Sequence, residues 1–400
     1  MNPWKWLESY AAMPERLIIG LMSGTSVDGV DAALVRVSGT GRQTEATLVA
    51  YCETPFPDDL RAAVLALSHG HGDPASLSRA NVGLGYLFAN AANAVRQKVG
   101  VSPGEVSAIA SHGQTVSHTP YIIRYSAARP VETGATLQIG DAAVIAAQTG
   151  VPVVSDFRTM DLALGGQGAP LVPYADWCLL THPTQTRAVQ NIGGIGNVTY
   201  LPANANASEV RGFDTGPGNM LIDRAVAWAT ENRERYDADG RRAAQGRVMT
   251  DVLEHLLCDD FLRYAPPKSA GREEFGESYW ELLLRGHEWM REEAADVVAT
   301  LTAFTAYSIA DAYERHLPRM PDVIILGGGG ARNPILRQLL ANKVAPVPVL
   351  VHEDLGINSD SKEAVAFAIL ANETLQGNPS NLPSVTGASR PAVLGKITLP

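Results

Sequence analysis

Three times along this chain an apolar stretch runs directly into a glycine-rich turn. Residues 17–22 lead into Ser23-Gly24-Thr25-Ser26-Val27-Asp28-Gly29. Residues 187–192 lead into Gly193-Gly194-Ile195-Gly196, and residues 322–326 into Gly327-Gly328-Gly329-Gly330. Such turns present backbone N–H groups with no Cβ in the way, which suits phosphate oxygens. Any one of them reads equally as an ordinary tight turn. Three in the same strand-before-turn context point to an α/β protein with ligand loops at its strand ends. The first two turns continue into a second apolar strand, at 32–37 and 197–201, so each is a hairpin. The hairpins share a pattern without sequence identity, which suggests a repeated architectural unit.

The rest of the chain fits this reading. Four hundred residues allow two to three domains at about 150 residues each. A hydrophobic fraction of 46% is enough for real cores, and 37 glycines and 25 prolines fit a loop-rich enzyme. Periodicity predicts helices at 76–99, 142–149, 217–230, 246–263, 278–293, 297–316, 334–342 and 363–376. It places strands at 106–111, 151–155 and 347–351. Asp360 and Glu363 have capping-box spacing. Pro217 suits the first position of the helix expected after it.

Several function classes are excluded. The net charge is -10 with no basic stripe, which argues against nucleic acid. An anion must then be held locally, by amides, a metal or a few arginines. Three scattered cysteines without CxxC argue against a disulfide framework and structural zinc. The first sixteen residues lack a signal core, and no apolar run reaches the roughly 18 residues of a membrane span. A soluble, cytoplasmic protein is expected. No GxxxxGK[ST] occurs, and 327–332 lacks the third glycine of GxGxxG. Asp237-Ala238-Asp239-Gly240 begins like a calcium loop, but Val248 stands where the bidentate Glu belongs. Ser111 lies outside a GxSxG elbow, which leaves a hydrolase triad unsupported.

Residues with chemical potential gather near the turns. Thr25 and Ser26 add hydroxyls beside the amides. Asp28 and Asp31 add carboxylates, which tolerate phosphates when Mg²⁺ lies between. Asp214, in Phe213-Asp214-Thr215-Gly216-Pro217-Gly218-Asn219, reads either as a cap just ahead of a helix N-terminus or as a carboxylate base. His112 and Gln114 follow one strand, Asp156, Arg158 and Gln167 another, and strand ends are where α/β folds place ligand groups. His112 reads as a base or as a satisfied structural histidine. Lys268 is a loop cation or simple surface charge.

Taken together, 20–31, 111–115, 156–158, 165–170, 191–197, 213–219, 268–273, 327–333, 363–368 and 385–388 resemble the anhydro-N-acetylmuramic acid kinases, in order, over roughly residues 17–396. The resemblance implies the actin/hexokinase superfamily: two RNase H-like domains with an ATP cleft between them. The domains would be 17–185 and 186–400, after an extension at 1–16, with the tail packing back on the first. Gly24, Thr25, Ser26, Val27, Asp28, Gly29, Val30 and Asp31 would bind ATP phosphates. Asn191, Gly193, Gly194, Gly196 and Asn197 would face them. Gly327, Gly328, Gly329 and Gly330 would lie beneath the nucleoside, and Asn333 would also bind ATP. Asp214 would be the base, and Asp28 and Asp31 would hold Mg²⁺ through water. The sugar site would draw on His112, Gln114, Asp156, Arg158, Gln167, Gly216 and Asn219. The implied reaction opens the 1,6-anhydro ring of a small sugar, anhydro-N-acetylmuramic acid, with water and phosphorylates O6 with ATP to give N-acetylmuramic acid 6-phosphate, a step of cell-wall amino-sugar recycling, and the family suggests a homodimer. Levoglucosan kinases share fold and mechanism but carry Arg where Gly166 stands. A non-catalytic ATP switch would leave the 213–219 motif without a role. An ATP-independent glycosidase would need a second acid. The extension at 1–16 and parts of 118–135 and 203–210 depart from the family pattern.

Overall fold

A computed structural model describes residues 3–24, 26–123, 133–287 and 293–400. The chain forms two compact units, one of Met1–Leu179 with Asp360–Pro400, the other of Leu180–Ser359.

In the first unit the strands are β1 (Glu15–Met22), β2 (Gly29–Ser38), β3 (Glu45–Pro55), β4 (Ala108–Ser111), β5 (Gln114–Ile123), β6 (Thr133–Ile139) and β7 (Val153–Ser155). The main sheet runs β3-β2-β1-β4-β7 and ends on the C-terminal strand Lys396–Thr398. β1/β2 and β2/β3 are antiparallel, and β1/β4 and β4/β7 are parallel. β5 and β6 form a separate hairpin. The sheet is covered on both faces, so its central strands read as near-continuous apolar runs. Ile19 and Leu21 pack with Leu84, Leu87 and Phe88 of the helix Pro74–Gln97. Gly20 points the other way, where a Cβ would lie 1.8 Å from the Ala364 carbonyl oxygen. Only glycine allows the helix Lys362–Gln376 to approach so closely. That contact explains why a helix expected in the second domain lies on the first sheet. Its cap also differs from expectation: Ser361 is the N-cap and makes no side-chain capping bond. The extension is a helix, Pro3–Ala12, whose buried Tyr10 donates to Asn372 Oδ1 at 3.0 Å.

The second unit repeats the plan with β8 (Arg187–Ile192), β9 (Ile195–Leu201), β10 (Arg211–Pro217), β11 (Val323–Gly327) and β12 (Val349–Val351). Its order is β10-β9-β8-β11-β12, with two antiparallel and then two parallel pairings. Strand for strand this is the order and sense of β3-β2-β1-β4-β7. The repeated pattern of the two hairpins is thus a repeated fold, and the class is α/β with two RNase H-like domains. The helix Ala294–His316 fills the second core, where Thr302, Thr305 and Ser308 satisfy their hydroxyls on backbone carbonyls.

Other differences from the sequence reading are local. Pro217 ends a strand rather than starting a helix, and the helix is Met220–Ala229 with Asn219 at its N-cap. β10 is an edge strand, where a missing N–H costs no ladder bond. The 246–263 helix is two short ones, Thr250–Leu256 and Asp260–Arg263, parted where Asp259 caps the second. The Asp237–Gly240 stretch is a structural turn: Asp237 accepts from the N–H groups of Arg242 and Ala243 at 2.9 and 3.0 Å.

Candidate active site

Register in the second sheet lines up four of the expected site residues. Gly327 pairs with Asn191, Asn191 with Asn197, and Asn197 with Asp214. Cross-strand partners share a face, so Asn191, Asn197 and Asp214 form one polar row. All three are half-buried among strand neighbours that are mostly buried. The row ends where β10 is irregular, between Asp214 and Gly216.

Asp214 is held at one oxygen only. Its Oδ2 accepts from the Ala270 N–H at 2.7 Å, and its own N–H donates to the Lys268 carbonyl at 3.1 Å. Among the described residues no hydrogen bond reaches Oδ1. Burial raises the carboxyl to about pKa 7, against the opposing pull of the Ala270 N–H and Lys268. A carboxylate poised near neutrality with one free oxygen has the properties of a general base. The expected help from a helix N-terminus is absent, since the helix starts six residues later. Lys268 is not surface charge either. It is buried, donates to the carbonyls of Phe261 and Leu262 at 3.1 and 3.2 Å, and sits 4.7 Å from the Phe261 ring centre. Burial lowers its pKa to about 8.

The glycines of this unit fall into two sorts. A Cβ on Gly327 would lie 2.1 Å from His352 Cε1, on Gly330 2.3 Å from Ile192 Cγ2, and on Gly328 2.5 Å from Asn191 Oδ1. These are glycines because the protein packs against them. A Cβ on Gly193 would meet nothing nearer than 3.7 Å. On Gly194 it would meet only the flexible end of Met220, and on Gly329 only Asn219 Nδ2 at 3.6 Å. Gly196 and Gly216 are packed, against Thr215 Oγ1 and against Leu262 and Ser308. Asn219 brackets the turn: its N–H donates to the Gly193 carbonyl at 2.7 Å and its Nδ2 to that of Ile192 at 3.1 Å. Asn333 caps the helix Pro334–Val344 by accepting from Ile335 and Leu336. Its oxygen is therefore engaged within the fold.

In the first unit Thr25 lies outside the described residues, as does the 124–132 part of the 118–135 stretch. A Cβ on Gly24 would meet only Ser26 Oγ, at 3.8 Å. Val27 is buried at φ 53, an uncommon conformation for a β-branched residue. Arg61 steadies it, donating Nε to the Val27 carbonyl at 2.8 Å. Ser23 donates to Gln114 Oε1 at 2.7 Å, and Gln114 Nε2 donates to the Gly24 carbonyl at 3.2 Å. Gln114 thus shapes the turn from below. Asp28 Oδ1 accepts from Ser26 Oγ and the Gly29 N–H. Val30 points into the core. Asp31 accepts from the Tyr51 hydroxyl. Burial raises Asp31 to about pKa 6, with Glu53, Glu363 and Asp28 adding repulsion. Arg61 and Tyr51 were missed by sequence reasoning. Tyr51 could have been found from hairpin register, since Asp31 pairs with Glu53 and Tyr51 lies two places along the same strand face.

His112 and Arg158 meet behind the strand ends. The His112 Nδ1 lies 2.9 Å from the Gly113 carbonyl, and Nε2 accepts from Arg158 Nε and Nη2 at 3.0 and 2.8 Å. Burial and the adjacent guanidinium hold the imidazole well below its usual pKa. Its remaining lone pair is occupied, so it is a satisfied histidine that fixes Arg158. Arg158 also donates Nη1 to the Gly168 carbonyl at 2.7 Å. Asp156 accepts from Thr159 and pairs with Lys396. Gln167 is half-buried, and its N–H donates to the Thr386 carbonyl at 2.8 Å.

Comparison with known proteins gives the family. A solved structure of component A of (R)-2-hydroxyglutaryl-CoA dehydratase from Acidaminococcus fermentans aligns with a TM-score of 0.42 at 11% identity, over 90% of this chain and 99% of that one. That likeness is too slight to carry an argument. The sequence comparisons are much stronger. The protein called anhydro-N-acetylmuramic acid kinase in Caldanaerobacter subterraneus subsp. tengcongensis is 45% identical over 388 residues, 96% of this chain and 97% of its own length. Its namesake in Acaryochloris marina is 46% identical over 389 residues, 96% and 99% of the two chains. The family profile described as anhydro-N-acetylmuramic acid kinase matches residues 16–400. This chain belongs to the anhydro-N-acetylmuramic acid kinase family.

Proposed function

We propose that the protein uses ATP and water to convert 1,6-anhydro-N-acetylmuramic acid to N-acetylmuramic acid 6-phosphate. The observation that carries the chemistry is Asp214, fixed through Oδ2 and open at Oδ1. Asp214 takes a proton from water as that water bonds to C1. The C1–O6 bond breaks, and O6 takes the γ-phosphoryl group of ATP as ADP leaves. The phosphoryl group fills the place that a proton from an acid occupies in an inverting glycosidase, so a single carboxylate suffices. Asp214 then passes its proton to solvent.

The open glycines Gly24, Gly193 and Gly194 support phosphate binding through their backbone. Asp28 and Asp31 fit Mg²⁺ held largely through water. Asp31 lies in a carboxylate group whose mutual repulsion a divalent ion relieves, and Mg²⁺ commonly uses one or two carboxylates while keeping its waters. Among the described residues no three His, Cys, Asp or Glu side chains are set to hold a bare ion. The ion supplies charge neutralisation at the phosphates. Arg158, Gln167 and Gly168 support a sugar site in the first unit. The family resemblance also supports a homodimer working in the cytoplasm.

The test is ADP release with 1,6-anhydro-N-acetylmuramic acid, levoglucosan and glucose, run in ¹⁸O-water. ADP should form with the first sugar, and the label should appear on C1 and not in the phosphate. Equal ADP release with glucose, or label in the phosphate, would overturn the reading.

A further inference from the structure

The tail residues 385–388 match the family pattern, yet the chemistry above gives neither them nor the preceding 381–384 a role. Their contacts supply one. Asp161 is fully buried, on the short helix Thr159–Ala163. Three neutral donors satisfy it: the Gly168 N–H to Oδ2 at 2.8 Å, and Asn381 Nδ2 and Thr386 Oγ1 to Oδ1, each at 2.7 Å. A buried carboxylate survives only with such full satisfaction. Two of its three donors come from the tail. The tail also takes the Gln167 N–H on the Thr386 carbonyl, and Ser389 donates its N–H to the Leu164 carbonyl at 2.9 Å. Gly166 fits only because it has no side chain: a Cβ there would lie 2.2 Å from Asp161 Oδ2 and 2.9 Å from Ala388 Cβ.

The same carboxylate is one step from Arg158. Gly168, at φ 69, gives its N–H to Asp161 and accepts Arg158 Nη1 on its carbonyl. Arg158 in turn holds His112 through two nitrogens. A continuous chain therefore runs from Thr386 and Asn381 through Asp161 and Gly168 to the guanidinium.

We infer that Asp161, locked by Thr386 and Asn381 of the C-terminal tail, is a positioning residue that fixes the 165–170 loop and Arg158 for the sugar. This rests on the reading that Arg158 and Gln167 belong to the sugar site. The full-length protein carries the test, with KM for 1,6-anhydro-N-acetylmuramic acid and for ATP and the melting temperature measured on each variant. Thr386→Val is nearly isosteric but cannot donate, and should raise the sugar KM about tenfold, with the ATP KM changed less than about twofold. Thr386→Ser restores the donor and should return the sugar KM to near its starting value. Asn381→Ala, which removes the other tail donor, should act like Thr386→Val and serves if that variant does not fold. Arg158→Ala separates the two ideas. If it leaves the sugar KM unchanged, the sugar-site reading fails. If it raises the sugar KM while the Thr386 and Asn381 variants do not, the positioning role fails. Equal losses for sugar and ATP alongside a collapsed melting temperature, unrescued by Thr386→Ser, would make the cluster purely structural and overturn the inference as well.

Discussion

The turns at 193–194 and 327–330 look alike in sequence and differ in cause. At Gly327, Gly328 and Gly330 the missing Cβ is occupied by the protein itself: by His352, by Asn191 and by Ile192. At Gly193 and Gly194 the space is left open, as it is at Gly24 in the other unit. The first group makes room for the fold, while the second leaves backbone uncovered, as the proposed phosphate contact requires. A glycine run is therefore not a ligand signal until each Cβ has been placed. Of the ten residues expected to contact ATP through the second unit, Gly196, Gly327, Gly328, Gly330 and Asn333 have sufficient structural reason to be what they are.

The largest effect separates chemistry from both sorts of turn. Asp214→Asn leaves every glycine in place and removes only the proton acceptor. Turnover should fall at least about a thousandfold, within the range of a lost general base, while ATP affinity stays within about twofold. Normal turnover would sink the assignment. With Asp214 at about pKa 7, kcat/KM of the parent enzyme should fall tenfold per pH unit below 7. A flat profile from pH 5 to 7 would contradict the base. Stability should move oppositely. A carboxyl raised in the fold contributes stability that is fully present below its unfolded pKa and is lost as pH rises through 7. Asp214→Asn should therefore melt higher than the parent at pH 8, and no higher at pH 4. Equal melting temperatures at pH 8 would show that the native site does not penalise the charge.

Next in size come the packed glycines. Gly330→Ala drives a methyl into Ile192 and toward Asn219 Oδ1, and Gly327→Ala drives one into the His352 ring. Overpacking of this kind costs about 1–3 kcal/mol. Denaturant titration should show the loss without ATP present. Unchanged midpoints would mean that the 327–330 turn has more room than its contacts imply, and the comparison would break there.

Much of this was legible in the sequence, and what was not has identifiable reasons. The two hairpins, the helix Ala142–Thr149 and the strand before Gly327 follow from local periodicity and turn chemistry. Pro217 misled because proline suits a helix start and an edge strand equally, and only pairing with β9 tells them apart. Lys268 reads as a loop cation or as surface charge, and nothing in composition decides it, because its partners are carbonyls at 261 and 262. The helix Lys362–Gln376 was assigned to the wrong half because its place depends on Gly20, more than three hundred residues earlier. Asp214 stands out by motif, but its environment does not follow from it: an amide at 270 replaces the expected helix end.

The smallest effect is the most direct test of the open glycines. Gly193→Ala adds a methyl with no atom of the protein nearer than 3.7 Å, at a φ that alanine can adopt. Stability should stay within about 0.5 kcal/mol, as for a surface change. The turn itself is pinned by Asn219, so its amides should keep their direction. If phosphate oxygens approach this backbone, the methyl stands between them. The KM for ATP should then rise severalfold, up to about tenfold, equivalent to roughly 1.4 kcal/mol of lost contact. The sugar KM should not follow. Gly24→Ala makes the matching test in the first unit, where the nearest atom is Ser26 Oγ at 3.8 Å. A Gly193→Ala enzyme with parental stability and parental ATP KM would mean that empty space above a glycine marks nothing, and the distinction between the two turns would lose its functional half.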